Sequence, residues 1–566
     1  MPRKSLVSSF LLLGLTFAAA SEGAERHQGP LPTQRHKQVD ALFAPWSGKG
    51  TPGCAVGISR DGALDYARGY GMSNLEYDVP ITPQSVFHTG SITKQFTAFA
   101  IGLLAQEGKL SLGDDMRKYL PEMPDFGKTI TLAHLMHHTN GLREQGQLLN
   151  LAGWRGDDLY TEADILWALT RQRSLNFAPG SEIVYGNAAY TLLGVIVRRV
   201  SGKSLRAFAD ERIFKPLGMA DTHFHDDHTE LVPRRASAYT PRDGGGWRIS
   251  VPNIDHYGST NLFTTIVDLL KWEQNLLDGR VGGPELIALM QTSGRLNDGT
   301  ATLYGGGLHL EAHRGLRMVS HDGMDGGYRT DAILFPDQRL AIVALCNNGT
   351  IDPSGLTRKV AEVYLGEFLK NVMPPAVKVP EAELSELVGT YWSPLTDAVV
   401  QLEFKDGALR QVGVPTAFVP IGNGAFRPGE SMHVWRFSKP AANAPRELSI
   451  KDAWPTTRDF IRVTEPMPTD SALAALTGKY RSDEVDMTYT VRVADGRLAI
   501  RWPRRDEVML DAVGGDRFVC SLGTVTFTRA ASGGVDGLTI SHRRMRRLRA
   551  ERLAVAEAPR SEAGPR

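Results

Sequence analysis

The stretch Leu387-Val388-Gly389-Thr390-Tyr391-Trp392-Ser393 recurs 89 residues later as Leu476-Thr477-Gly478-Lys479-Tyr480-Arg481-Ser482, and Asp406-Gly407-Ala408-Leu409 recurs at the same offset as Asp495-Gly496-Arg497-Leu498. A repeat of this size means that the last third of the chain is built from two copies of one small unit. Both copies read as short alternating runs broken by Gly and Asp turns, an all-β signature. The proline-rich stretch MPPAVKVPEA at 373–382 precedes them and reads as a linker. The boundaries that follow are a first domain at 28–372, a linker at 373–382, β-domains at 383–465 and 471–555, and a disordered tail at 556–566. A chain of 566 residues is too long for a single core in any case.

Within the first domain, residues 53–71 hold two β-prone runs flanking Asp61-Gly62, a hairpin signal. From Ser91, apolar residues recur at Phe96, Phe99, Ala100, Leu103 and Leu104, and Gly108 follows. That spacing predicts a helix with a glycine at its end. Further helices are expected at Glu162–Thr170, Ala188–Val200 and Thr265–Leu277. Strands are expected at Tyr328–Phe335 and Leu340–Cys346, joined by Pro336-Asp337-Gln338. Strands at both ends with helices between them predict an α/β layout around one antiparallel sheet.

Arg3 and Lys4, then an apolar run from Leu6 to Ala20, form a signal peptide at 1–20, too short to span a membrane. The expected mature protein is periplasmic or secreted, without stable membrane insertion. Lys+Arg is 64 against 63 Asp+Glu, so no overall positive charge points to nucleic acid. Three cysteines, Cys54, Cys346 and Cys520, do not make a disulfide framework and are expected to be free, mostly buried thiols.

In Thr89-Gly90-Ser91-Ile92-Thr93-Lys94-Gln95-Phe96, Ser91 and Lys94 stand three residues apart at a helix start and share a face. A serine hydroxyl becomes a nucleophile when a base takes its proton, and a lysine of lowered pKa can be that base. An N-cap serine beside a solvated lysine is the other reading, and SxxK alone does not decide between them. Three further stretches do: LMHHTNGL at 135–142, Tyr185-Gly186-Asn187 before an apolar helix, and His321-Asp322-Gly323-Met324 leading into a strand. In order and spacing these resemble the penicillin-recognising serine hydrolases, the family of class C β-lactamases, D-Ala-D-Ala carboxypeptidases, D-aminopeptidases and related esterases. The resemblance covers roughly 35–370.

It implies a serine β-lactamase-like α/β fold, an antiparallel sheet flanked by helices. Two small all-β barrel (lipocalin-like) domains follow, as D-aminopeptidases of the family also carry two C-terminal barrels. It implies Ser91 as the acylated nucleophile, Lys94 as its base, alone or with a partly ionised Tyr185 across the site, and Tyr185 or its network as the group that deprotonates the deacylating water. Asn187 would bind the substrate amide, Ser91 and Met324 N–H groups would form the oxyanion hole, and Gly323 would let substrate approach the strand. His321 stands where carboxylate-binding members carry lysine; a histidine is only partly charged near neutral pH. An exported serine hydrolase of amides, D-amino-acid peptides or esters is therefore expected, with a small-molecule or peptide substrate and no cofactor. A penicillin-binding or sensor-type protein that acylates without turnover, or a true β-lactamase, is the alternative. The natural substrate and oligomeric state are not legible.

Other histidines suggest no metal. His134 and His138 lack the glutamate of a zinc helix, and His223, His225 and His228 fall in what reads as a solvated surface loop. Arg543, Arg544, Arg546, Arg547, Arg549 and Arg552 read as solvated arginines of a last barrel strand. Gly305-Gly306-Gly307 reads as a turn before a strand.

Overall fold

The computed structural model describes residues 33–370, 373–429, 431, 433–439, 444–451 and 456–554. The expected signal peptide (1–20) and tail (556–566) lie outside them.

The first domain is organised by a six-stranded antiparallel sheet made from both ends of the segment. Its strands are β1 (Cys54–Arg60), β2 (Ala63–Tyr70), β3 (His309–His313), β4 (Leu316–Asp325), β5 (Tyr328–Phe335) and β6 (Leu340–Cys346), in the order β3-β4-β5-β6-β1-β2. Asp61 and Gly62 close the β1–β2 hairpin with φ of 52° and 82°, the two positive values that a two-residue turn matched to strand twist requires. Strand β6 is buried along its length because both faces are covered. Ala341, Val343 and Leu345 join one core, and Leu340, Ile342 and Cys346 the other. Helices α1 (Gln34–Phe43) and α5 (Pro353–Leu365) cover the second face. On the first face lie α2 (Thr93–Gln106), α3 (Asn187–Ser201) and α4 (Ile266–Asp278). Every residue of α2 from Thr93 to Leu104 is buried, so whatever its first turn carries is held rigidly.

Cys54 and Cys346 are register partners on β1 and β6, and they form a disulfide. The expectation of free thiols is corrected at these two positions. Their pairing depends on strand adjacency across 292 residues of sequence, which spacing does not reveal. Cys520 is a free, partly buried thiol.

The C-terminal region forms two eight-stranded antiparallel barrels. In the first, spanning Gly389 to Arg462, the edge strands Ala408–Gln411 and Phe418–Gly422 meet at one bridge between Arg410 and Ala417. The second, Gly478 to Arg552, is closed. The repeated Leu-x-Gly-x-Tyr has a physical reason. Tyr391 donates its hydroxyl hydrogen bond to Leu387 O (3.0 Å), and Tyr480 does the same to Leu476 O (2.7 Å). Gly389 and Gly478, with φ of 145° and 147°, pass against the guanidinium groups of Arg462 and Arg552. Those groups donate to Val388 O and Thr477 O, both at 2.7 Å.

The second barrel shares a continuous apolar core with the first domain. A buried ion pair between Arg143 and Glu484 and a two-pronged one from Arg546 to Glu182 (3.0 and 2.8 Å) fix it there. Arg547 reaches across to Asp397 of the first barrel at 2.9 Å. The basic run is therefore mostly paired rather than solvated. No helix among the described residues is long and apolar enough to cross a membrane.

Candidate active site

Ser91 lies in a single tight turn, Gly90–Ile92, that runs straight into α2. Hydrogen bonds pin this turn. Thr89 N–H donates to Leu262 O (2.9 Å), the Thr93 hydroxyl to Gly90 O (2.5 Å), and the Thr330 hydroxyl of β5 to Thr89 O (2.7 Å). Gly90 has φ of 57°, and a Cβ there would sit 2.7 Å from Met324 N. A Cβ on Gly323 would collide with Thr89 O and the Thr330 hydroxyl. The end of β4 is thus pressed onto the turn that carries Ser91, bringing the Met324 backbone beside it. Gly323 is required for that protein–protein approach, a different reason from the expected access for substrate.

Lys94, one turn into the helix, is fully buried. Its Nζ has three partners: Ser91 Oγ at 2.9 Å, Asn187 Oδ1 at 2.8 Å and Ser259 O at 2.7 Å. Two of these are carbonyl oxygens, which only accept. As an ammonium, Nζ donates to all three oxygens; once it loses a proton, the two carbonyls keep its hydrogens and the lone pair falls to the Ser91 hydroxyl. Burial drives the Lys94 pKa down to about 7, the Glu144 carboxylate opposes it, and Arg544 reinforces it.

The Tyr185 ring lies 4.9 Å from Lys94 Nζ. Its hydroxyl is buried and makes no hydrogen bond of normal geometry among the described residues. Burial holds the phenol well above its ordinary pKa, although Ser91 and Arg544 pull the other way. The expected partly ionised tyrosine is corrected: desolvation outweighs the neighbouring positive charge, and Tyr185 is a protonated donor.

His321 is buried, with Nε2 3.1 Å from the Tyr304 hydroxyl and Nδ1 2.6 Å from Asp322 O. Burial, then His309 and Lys94, keep its pKa well below the usual histidine value. It is uncharged, and both nitrogens are engaged within the protein rather than turned to a substrate. Asn187, first residue of α3, is oriented by its own N–H, which donates to Glu144 Oε2 at 2.6 Å.

Three groups at the site escape sequence reasoning. Glu144 is the second residue after LMHHTNGL and is buried; the charged pair Arg143-Glu144 after that stretch is the only signal. His138, with φ of 59°, packs its ring 4.4 Å from that of Tyr185. Arg544 comes from the turn between the last two strands of the second barrel, Val535–His542 and Met545–Arg552, and its Cζ lies 4.9 Å from the Tyr185 ring centre.

The remaining histidines have structural partners. His134 Nδ1 accepts from Thr131 N–H at 3.2 Å, and His137 Nδ1 lies 3.1 Å from Tyr304 O. The expected solvated surface loop holds at His228, which is exposed, and is corrected at 223–225. His223–Phe224 is a short strand and His225 is buried, because this segment pairs with Leu262–Phe263. Among the described residues, two clusters place three ligand-type groups within 4.8 Å: His223, His225 and Glu230, and His309, His321 and Asp322. In the first, Arg206 already grips Glu230 at 2.6 and 2.8 Å; in the second, the His321 nitrogens are engaged as described. Gly307, expected in a turn, has φ of 74° and abuts the α2 backbone at Lys94 and Gln95.

A family model described as Beta-lactamase matches residues 39–364. The D-aminopeptidase of Gluconobacter oxydans (strain 621H) is 26% identical over 463 residues, covering 81% of this chain and 84% of that protein. Penicillin-binding protein 4* of Bacillus subtilis (strain 168) is 28% identical over 382 residues, covering 63% of this chain and 83% of that one. The octameric penicillin-binding protein homologue from Pyrococcus abyssi superposes with a TM-score of 0.55 at 23% identity, over 75% of this chain and 99% of that chain. At that identity the likeness speaks for the fold.

Proposed function

Because this chain is a serine hydrolase of the beta-lactamase family, we propose that it hydrolyses amides, D-amino-acid peptides or esters through an acyl-enzyme on Ser91. The observation that carries the mechanism is the set of three oxygens around Lys94 Nζ, two of them obligate acceptors, so that the neutral amine keeps its hydrogens on those two and offers its lone pair to the Ser91 hydroxyl. Ser91 Oγ attacks the carbonyl carbon as its proton passes to Lys94. The tetrahedral oxyanion accepts from the backbone N–H groups of Ser91 and Met324, a role supported by the close approach of the Gly90 turn to the Gly323–Met324 backbone. Tyr185 gives its proton to the leaving nitrogen or oxygen as the carbon–heteroatom bond breaks, and recovers it from the Lys94 ammonium. Water then attacks the acyl-enzyme with Lys94, neutral again, as base, and Ser91 regains its proton. Asn187 Nδ2 remains available for the substrate amide.

The D-amino-acid preference is supported by the Gluconobacter relative, whose alignment of 463 residues is longer than the first domain and takes in barrel sequence. Export is supported by the apolar run at 6–20 and by the Cys54–Cys346 disulfide, which suits an oxidising compartment.

A panel of D-aminoacyl anilides, L-aminoacyl anilides, short esters and a cephalosporin tests the reading, together with intact-mass detection of a fluorophosphonate adduct. Multiple turnover on the D-aminoacyl or ester arms and an adduct lost in Ser91→Ala are expected. A stable adduct with no turnover on any arm would instead make this an acylating sensor.

A further inference from the structure

We propose that Arg544 is a specificity-determining residue, presented to the active site by the second barrel, that receives a carboxylate of the substrate beside Ser91. The proposal rests on the acyl-enzyme reading above and names the substrate class that this reading leaves open.

The hairpin turn that carries Arg544 is fixed against the first domain. Arg544 O accepts from Glu144 N–H at 3.2 Å and from Asn176 Nδ2 at 3.0 Å. Two residues on, Arg546 N–H donates to Asn176 Oδ1 at 2.8 Å, and the Arg546 guanidinium is clamped by Glu182. A backbone held this firmly fixes the point beside Tyr185 from which the side chain extends. Arg547 is paired with Asp397, Arg549 with Asp536, and Arg552 with Thr477 O. The Arg544 guanidinium, by contrast, has no carboxylate or other hydrogen-bond acceptor among the described residues. It is half-buried and stacked over the Tyr185 ring, whose centre is also 4.9 Å from Lys94 Nζ.

No carboxylate near Tyr185 hydrogen-bonds that guanidinium among the described residues: Glu144 accepts from Asn187 N–H, and Asp322 is exposed and turned toward His309 at 3.9 Å, while the buried His321 is neutral. A guanidinium half out of water with its donors unused is completed by a planar, bidentate anion, and a carboxylate matches its fork. The positive charge that the His321 position does not supply thus arrives from another domain.

The test compares kcat/KM on phenyl acetate, phenyl hemisuccinate (carboxylate in the acyl half) and 3-carboxyphenyl acetate (carboxylate in the leaving half). It uses the full chain at pH 9, where Lys94 is neutral. Wild type is expected to prefer one of the two charged esters over phenyl acetate by about ten- to a hundredfold, mainly through KM. Arg544→Ala should remove the preference, Arg544→Glu reverse it, and Arg544→Lys retain part of it. The arm that responds tells which half of the substrate carries the charge. Equal preference in wild type, Arg544→Ala and Arg544→Glu, with each protein folded by circular dichroism, would overturn the proposal. Fluorophosphonate labelling of Ser91 is scored separately: loss of that label with the Arg544 effect intact would refute the nucleophile assignment and leave the charge selectivity standing.

Discussion

Lys94 gives the sharpest test of the site, because its ionisation should govern the rate. Its pKa falls from 10.5 to about 7. That shift means the folded protein disfavours the ammonium by about 5 kcal/mol at roughly 1.4 kcal/mol per unit. Only the neutral amine accepts the Ser91 proton, so kcat/KM for an uncharged ester should rise with pH along a slope of one and level off above about pH 8. At pH 5 the neutral fraction is about 1%, so the rate should stand about a hundredfold below its plateau. The charges on either side make the assignment specific. Glu144 is the strongest influence raising the Lys94 pKa and Arg544 one of those lowering it. Glu144→Gln keeps an acceptor for Asn187 N–H but removes the negative charge. For an effective dielectric near 20 and a separation of several ångströms, it should move the inflection down by about one to two pH units. Arg544→Ala should move it up. The assay is the pH profile of kcat/KM alongside the rate of Ser91 phosphonylation. A profile flat between pH 5 and 8, or an inflection that rises in Glu144→Gln, would refute Lys94 as the titrating base.

Three further outcomes follow from buried groups. Glu273 on α4 is buried, and its pKa is raised to about 8, first by burial and then by Asp331. The folded state therefore keeps a proton that the unfolded chain loses above about pH 4.5, so stability should fall by up to about 1.4 kcal/mol per unit between pH 5 and 8. Glu273→Gln should flatten that slope in denaturant titrations, and an unchanged slope would count against it. Alkylation of the denatured, unreduced protein should modify one thiol, Cys520, and three only after reduction. Cys54→Ala/Cys346→Ala should lower stability by as much as about 5 kcal/mol, given the 292-residue separation; three alkylated thiols without reductant would refute the pairing. Arg143→Met should leave Glu484 buried without its partner, weaken barrel docking by about 3–5 kcal/mol and speed proteolysis between the barrels near residues 463–470. Arg143→Met/Glu484→Leu should recover much of the loss.

What was legible in the sequence was local. β5 and β6 run over the expected residues because β6 is a continuous apolar run, β5 ends in one at Ala332–Phe335, and the turn at Pro336–Gln338 bounds both. The serine and lysine were legible because three residues of helix bring them together, and Tyr185 and Asn187 because they stand at the entrance to a strongly apolar helix. What was missed depended on tertiary neighbours. The disulfide needs β1 beside β6 in register, and the state of Tyr185 and His321 needs knowledge of how dry their surroundings are.

The arginine run shows the limit best. In Met545–Arg552, Leu548 and Ala550 are buried inside the barrel and Arg547 and Arg549 are exposed, the alternation expected of a solvated outer face. Yet Arg546 is buried against the first domain, and Arg544, just before the strand, reaches the Tyr185 ring. No period in the sequence separates an arginine facing water from one facing another domain, since both occupy the outside of the same barrel. The site is therefore composite. The turn at Ser91 supplies the chemistry, while a hairpin more than 440 residues further along adds a cation that depresses Lys94 and bears on Tyr185. Removing the barrel would change the ionisation of the base as well as the shape of the entrance, which is why the docking contacts at Arg143, Asn176 and Arg546 belong to any account of the rate.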